Sequence, residues 1–140
     1  VRPAGETTLA ELEREVQRNA GTMLVLTRAA LPALRRSRGA IVNFASPTAA
    51  RAPASLGAYA AAKAGVVALT QALAAEEKVH GVRVNAIAPG IMDTDQNRES
   101  MPGSRYVRRE DVAEVAYFLA TRGAAAVSGE VVTVRLETTG

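Results

Sequence analysis

The sequence predicts an α/β fold, a parallel sheet with flanking helices. Helical periodicity alternates three times with short apolar runs, the order expected when each strand is joined to the next by a crossover helix. The runs Ala40–Ala45 (AIVNFA) and Val82–Ile87 (VRVNAI) are rich in apolar residues without strict alternation, as strands covered on both faces are. No internal repeat or low-complexity linker breaks the pattern, so residues 1–140 read as a single domain.

Thr8–Glu11 (TLAE) is a capping box, in which hydroxyl and carboxylate satisfy each other's orphan amides. From Leu9 the apolar residues Leu12, Val16, Met23, Leu26 and Ala30 recur at helical spacing, which predicts one long helix over 9–31, bent or ended near Pro32. Arg35, Arg36 and Arg38 then put positive charge at its carboxyl end, where the helix dipole favours it. Gly39 breaks the helix, and Ala40–Ala45 is the first strand. A loop with Pro47 and Pro53 leads to a second long helix, about Leu56–Val79, capped by His80 and closed by Gly81. Val82–Ile87 is the second strand, after which Pro89-Gly90 turns the chain into a polar loop running to Arg109. Asp111–Thr121 reads as an amphipathic helix and Glu130–Val134 as the last strand. Three short parallel strands leave an edge that needs pairing, so further strands are expected beside Ile41–Ala45.

Composition narrows the function. With 48% hydrophobic and 22% charged residues the chain has the balance of a folded globular protein. The absence of cysteine excludes disulfides and thiolate metal sites, and with His80 as the sole histidine no metal site is expected. Asp93 and Asp95, which adjoin Thr94 with no further ligands nearby, read as solvated loop acids. A net charge of +3 raises the question of nucleic acid. The arginines at 35, 36 and 38 and at 105, 108 and 109 have no interleaved aromatics and no reader motif, so they read as a solvated helix end and loop, with no nucleic-acid partner. The apolar stretch Leu56–Ala75 is broken by Tyr59, Lys63, Thr70 and Gln71, and no membrane partner is expected. Val1–Glu6 shows no signal pattern, and a cytoplasmic location is the expectation.

The chemistry gathers around one helix face. Tyr59 and Lys63 are spaced i, i+4 and project from the same side of the second long helix. Such a pair arises by chance on many helices, and its neighbours decide its meaning. Ser46 lies thirteen residues before Tyr59, at the carboxyl end of the first strand, the edge at which open α/β sheets bind ligands. Asn19 is a polar residue within an apolar helical pattern, and Asn85–Gly90 follows the second strand with Thr94 four residues beyond the glycine.

In order and spacing these residues resemble the short-chain dehydrogenase/reductase family. The likeness runs through Asn19-Ala20-Gly21-Thr22, Thr27–Pro32, Gly39-x-Ile41-Val42-Asn43, Tyr59-x-x-x-Lys63-Ala64, Arg83–Gly90, Asp111-Val112-Ala113 and Gly129-Glu130-Val131. It implies a Rossmann-like domain and an oxidoreductase that uses NAD or NADP to move hydride between nicotinamide and a small-molecule carbonyl or secondary alcohol. Tyr59 would be the general acid and base, Lys63 would lower the phenol's hold on its proton and bind the nicotinamide ribose, and Ser46 would hold the substrate oxygen. Asn19 would hold a water joining Lys63 to solvent. Pro89, Gly90, Ile91 and Thr94 would flank the nicotinamide, although Thr94 serves equally as a helix cap. Asn85 and Asn43 read as structural hydrogen-bonders, and Met92 and Met101 as pocket lining or packing. The resemblance also implies a homodimer or homotetramer formed through helices 9–31 and 56–79.

The sequence departs from the family in lacking a Gly-rich phosphate-binding turn, since Gly5 and Gly21 stand in helical or helix-flanking contexts. The amino-terminal strands, about four with three helices, are therefore expected outside this sequence, together with the residue that selects NAD or NADP. The loop Thr94–Glu110 is short for the family and implies an open pocket, and Arg135–Gly140 diverges from the family's glycine-rich ending. A non-catalytic partner subunit that keeps the fold without binding cofactor by itself is the alternative reading.

Overall fold

The structure is a computed structural model and describes residues 2–136; the end of the divergent stretch Arg135–Gly140 lies outside the described residues. Thr8 caps α1 (Leu9–Val16) with both halves of the capping box in place: the Thr8 amide donates to Glu11 Oε2 at 2.8 Å and the Glu11 amide to Thr8 Oγ1 at 3.3 Å. The single helix expected over 9–31 is in fact interrupted. A π-helical turn, Gln17–Gly21, separates α1 from α2 (Thr22–Ser37). Pro32 lies inside α2 and does not end it. Pro32 and Arg28, whose carbonyl loses its donor, are both exposed, so water can satisfy the freed group. The stop comes at Arg38, which is left-handed (φ 50) and returns its amide to the Leu34 carbonyl, as Gly39 also does.

β1 (Ala40–Phe44), β2 (Arg83–Pro89) and β3 (Val131–Val134) form a parallel sheet in the order β1-β2-β3. Ala40 stands opposite Arg83, Phe44 opposite Ile87, and Ala86 opposite Val131. β2 runs longer than expected. Pro89 pairs with Val134 and the Gly90 amide donates to the Val134 carbonyl at 2.8 Å, so the chain leaves the sheet only after Gly90. The outer edge of β1 is unpaired among the described residues, and Phe44 on it is 49% exposed.

The period of two along β2 sorts its side chains between two layers. Ala86 and Ala88 join Ala20 and Val66 on the side of α2 and α3 (Gly57–Glu77), while Ile87 between them joins Val107, Val112 and Leu119 beneath α5 (Arg109–Ala120). Small residues bring the helices close: a Cβ on Gly65 would lie 3.4 Å from that of Ala20. A 3-10 turn, Lys78–His80, extends α3 to Gly81, whose positive φ of 70 supplies the stop. The His80 side chain makes no hydrogen bond among the described residues, and Gly81 caps the turn instead, its amide donating to the Lys78 carbonyl. By length and apolarity alone Gly57–His80 could cross a bilayer, at a mean hydropathy of 1.2. In the fold one face of it packs into the core, with Ala62, Val66, Thr70, Leu73 and Glu77 buried.

Two arginines have structural partners that their positions in sequence did not reveal. Arg35, expected as a solvated helix-end charge, grips Glu77 of α3 with two bonds of 2.6 and 2.8 Å. Those bonds hold the Glu77 carboxyl below the usual carboxylate range against the opposing effect of burial, at 3% exposure. Arg83 donates to the carbonyls of Leu119 (2.6 Å) and Thr121 (2.9 Å), closing the carboxyl end of α5. The loop expected between Gly90 and Arg109 contains a short helix, α4 (Asp95–Ser100). No apolar periodicity marks it, because its residues are polar throughout.

Candidate active site

The first turns of α3 carry Tyr59 and Lys63 over the carboxyl end of β1. The four-residue spacing places the Lys63 ammonium over the Tyr59 ring, 5.8 Å from its centroid, where the ring's quadrupole attracts a cation. The same ammonium donates to the Phe44 carbonyl at 2.9 Å, which ties α3 to the last residue of β1, two residues before Ser46. Lys63, with Tyr59 beneath it, thereby lies at the end of the strand that leads into the Ser46 turn. The Tyr59 hydroxyl bonds to nothing among the described residues. Lys63 is half-buried, and burial pushes its ammonium below the ordinary lysine range while the negative charge of Glu15 opposes that shift.

Ser46 is extended and opens a 3-10 turn, Pro47–Ala49. Its Oγ accepts from the Thr48 amide (3.3 Å) and the Thr48 hydroxyl (2.9 Å), so its own proton remains available to an outside acceptor. Asn19 lies in the π-helical turn and donates its amide to the Glu15 carbonyl at 2.9 Å. No hydrogen bond joins Asn19 to Tyr59, Lys63 or Ser46, although its neighbour Ala20 abuts α3 at Gly65. π-turns free backbone groups from the helical ladder and recur at functional sites.

The segment after β2 sorts into distinct parts. Pro89 belongs to the strand, and Gly90 is bare for packing, since a Cβ there would approach Val107 Cγ2 at 3.3 Å. The Ile91 carbonyl accepts from Val107 at 2.7 Å, while its amide donates to nothing among the described residues. That unmatched donor at the strand's carboxyl end fits an amide acceptor such as a carboxamide. Thr94 caps α4 by accepting from the Asn97 amide at 3.2 Å, which leaves its hydroxyl proton free. Met92 packs in the α5-side core, and Met101 is exposed. The Asp93 carboxylate is taken by Arg98, with Nη2 to Oδ2 at 2.8 Å, and Asp95 begins α4, so the two acids face separate tasks. Asn43 and Asn85 are structural, as expected: Asn43 donates to Thr70 Oγ1 at 2.9 Å, and Asn85 joins β2 to the segment before β3.

Sequence reasoning passed over two groups of this site. The Phe44 carbonyl is a backbone acceptor and leaves no trace in residue identity. Glu15 did leave one, since it stands four residues before Asn19 on the same helical face.

The model of the family described as short chain dehydrogenase matches residues 1–104. The chain belongs to the short-chain dehydrogenase family. It is 38% identical over 131 residues to a 3-oxoacyl-[acyl-carrier-protein] reductase of Pseudomonas aeruginosa, covering 85% of this chain and 53% of that one. It is 39% identical over 126 residues to an inactive 2-(S)-hydroxypropyl-CoM dehydrogenase 2 of Xanthobacter autotrophicus, covering 78% and 55%. The solved 3-ketoacyl-(acyl-carrier-protein) reductase of Brucella melitensis, complexed with NADH, superposes with a TM-score of 0.83 at 30% identity, over 95% of this chain and 60% of that one. The parallel sheet and its helices are thus the Rossmann-like arrangement of short-chain dehydrogenases. The chain spans about half the length of the curated relatives it matches.

Proposed function

We propose that this chain carries the catalytic residues of an NAD- or NADP-dependent oxidoreductase acting on a small-molecule carbonyl or secondary alcohol. One observation carries the reading: the Lys63 ammonium lies over Tyr59, whose hydroxyl is uncommitted, and is tied to the last residue of β1, two residues before Ser46. Tyr59, with its hydroxyl uncommitted and the ammonium beside it, would hand a proton to the substrate oxygen during reduction and withdraw it during oxidation. Ser46, with its acceptor side occupied by Thr48, offers its proton to the same oxygen and stabilises the charge that develops there.

A bound nicotinamide supplies or accepts the hydride. Lys63 would hold its ribose hydroxyls, and the Ile91 amide and Thr94 hydroxyl would hold its carboxamide. Pro89 and Gly90 would shape the wall through their pairing with β3. Asn19 would steady a water between Lys63 and solvent. The exposed Leu24, Val25 and Leu26 on α2 suit a homodimer or homotetramer, and a cytoplasmic location accords with a chain without cysteine. The alternative, a non-catalytic partner subunit, is less favoured because Ser46, Tyr59 and Lys63 are all present in this chain.

Titrating NADH and NADPH into the intact protein, followed by cofactor fluorescence, tests this. Saturable binding of at least one, half-complete between about 1 μM and 1 mM, is the expected result. Binding of neither would overturn the proposal.

A further inference from the structure

The segment that leaves β2 is knitted to its surroundings more closely than a polar loop requires. The Val107 amide donates to the Ile91 carbonyl at 2.7 Å, and the Asp93 amide donates to the Val107 carbonyl at 2.8 Å. Between them the Met92 side chain packs into the core beneath α5. The Met92 carbonyl takes two donors, the Thr94 amide at 3.0 Å and Asn97 Nδ2 at 2.8 Å, which fills both lone pairs of the oxygen. The Asp93 carboxylate beside Thr94 has its own partner in Arg98.

Asn97, half-buried at the third position of α4, acts on this segment twice. Its backbone amide donates to Thr94 Oγ1 at 3.2 Å, and its side chain reaches back past the cap to Met92. The first bond needs no particular side chain, since every residue but proline carries the amide. The second needs a short side chain with a donor. It satisfies no carbonyl of α4, because Met92 lies two residues before the cap. Helix stability alone would favour aspartate here, where a negative charge meets the amino-terminal end of the dipole. The Asn97 amide therefore serves the turn, not the helix.

We propose that Asn97 is a positioning residue for the nicotinamide carboxamide: by holding the Met92 carbonyl it fixes the turn that presents the Ile91 amide and the Thr94 hydroxyl. The inference rests on the reading of this chain as a nicotinamide-dependent oxidoreductase. Both donors lack an acceptor among the described residues, and a carboxamide oxygen can accept two hydrogen bonds, so the pair fits such a group. Without the Asn97 side chain the turn is held across its span by the Thr94–Met92 bond alone. Its two donors then sample more arrangements, and binding carries an added ordering cost.

Calorimetric titration of the intact protein with NAD and with NADP tests this. Asn97→Ala and Asn97→Asp are each expected to raise Kd roughly three- to tenfold, the worth of about one hydrogen bond. Asn97→Asp keeps the size of the side chain and suits the first turn of α4, so its melting temperature should equal or exceed the native one. Gln96→Ala, an exposed change on the same helix, should match the native protein in both measurements. In turnover, KM for the cofactor should rise with Asn97→Asp while kcat holds, which a role confined to α4 would not produce. An Asn97→Asp protein that binds the cofactor with the native Kd would overturn the proposal. Weaker binding that follows a lowered melting temperature in that variant would assign Asn97 to folding alone and overturn it too. Native protein that binds neither cofactor would instead refute the oxidoreductase reading, and this proposal with it.

Discussion

Tyr59→Phe lowers kcat/KM for carbonyl reduction by roughly a hundred- to ten-thousand-fold, the usual worth of a positioned proton donor. That range corresponds to about 3–5 kcal/mol of lost transition-state stabilisation. The substitution removes one oxygen and leaves the ring, so the Lys63 ammonium keeps the aromatic face over which it lies and its bond to the Phe44 carbonyl. Because the hydroxyl bonds to nothing among the described residues, its loss strands no buried partner, and thermal unfolding should stay where it was. The loss should fall on kcat, with NADH and NADPH binding little changed, since the proton is transferred only as the hydride moves. Stopped-flow kinetics and calorimetry on the same preparation check both halves of this result. A Tyr59→Phe protein that reduces ketones at the native rate would remove Tyr59 from the mechanism.

Asn85→Ala destabilises the fold by about 3 kcal/mol and lowers the melting temperature by roughly 10 °C. Asn85 is wholly buried at the centre of β2 and works in both directions. Its amide donates to the Val127 carbonyl at 2.9 Å, and its carbonyl accepts from the Glu130 amide at 3.1 Å. Alanine leaves both backbone groups without this partner and opens a small void in the buried strand besides. The consequence reaches the site, because the segment pinned by Asn85 leads into β3, and β3 receives the Gly90 amide through Val134 just before Ile91. Differential scanning calorimetry measures the loss. An unchanged melting temperature would mean that the two bonds are replaced by others at no net cost.

The parts legible in sequence share a local cause. The Thr8–Glu11 box, the Gly81 stop and the Tyr59–Lys63 pair are each set by residues a turn or less apart, and the structure shows all three. Asn43 and Asn85 were readable for another reason: a polar side chain inside an apolar strand must find a partner. The π-turn at Gln17–Gly21 escaped because the spacing of Val16 and Met23 in the sequence fits an unbroken helix. Pro32 was given too much weight, as an exposed proline forfeits one bond that water can replace. Arg35 and Glu77 stand 42 residues apart, beyond the reach of any local pattern. Thr94 stood open between cap and cofactor contact, and its bond to Asn97 shows the first without consuming the proton needed for the second.

The central claim is that Tyr59 and Lys63 move a proton while hydride passes to the adjoining carbon. Reduction of a ketone with NADH or NADPH carrying deuterium at the transferable position, followed by mass spectrometry of the alcohol, tests it most directly. The account predicts deuterium on the carbinol carbon with the native protein and a nearly complete loss of labelled alcohol with Tyr59→Phe. Alcohol formed without the label, or labelled equally well by Tyr59→Phe, would contradict it.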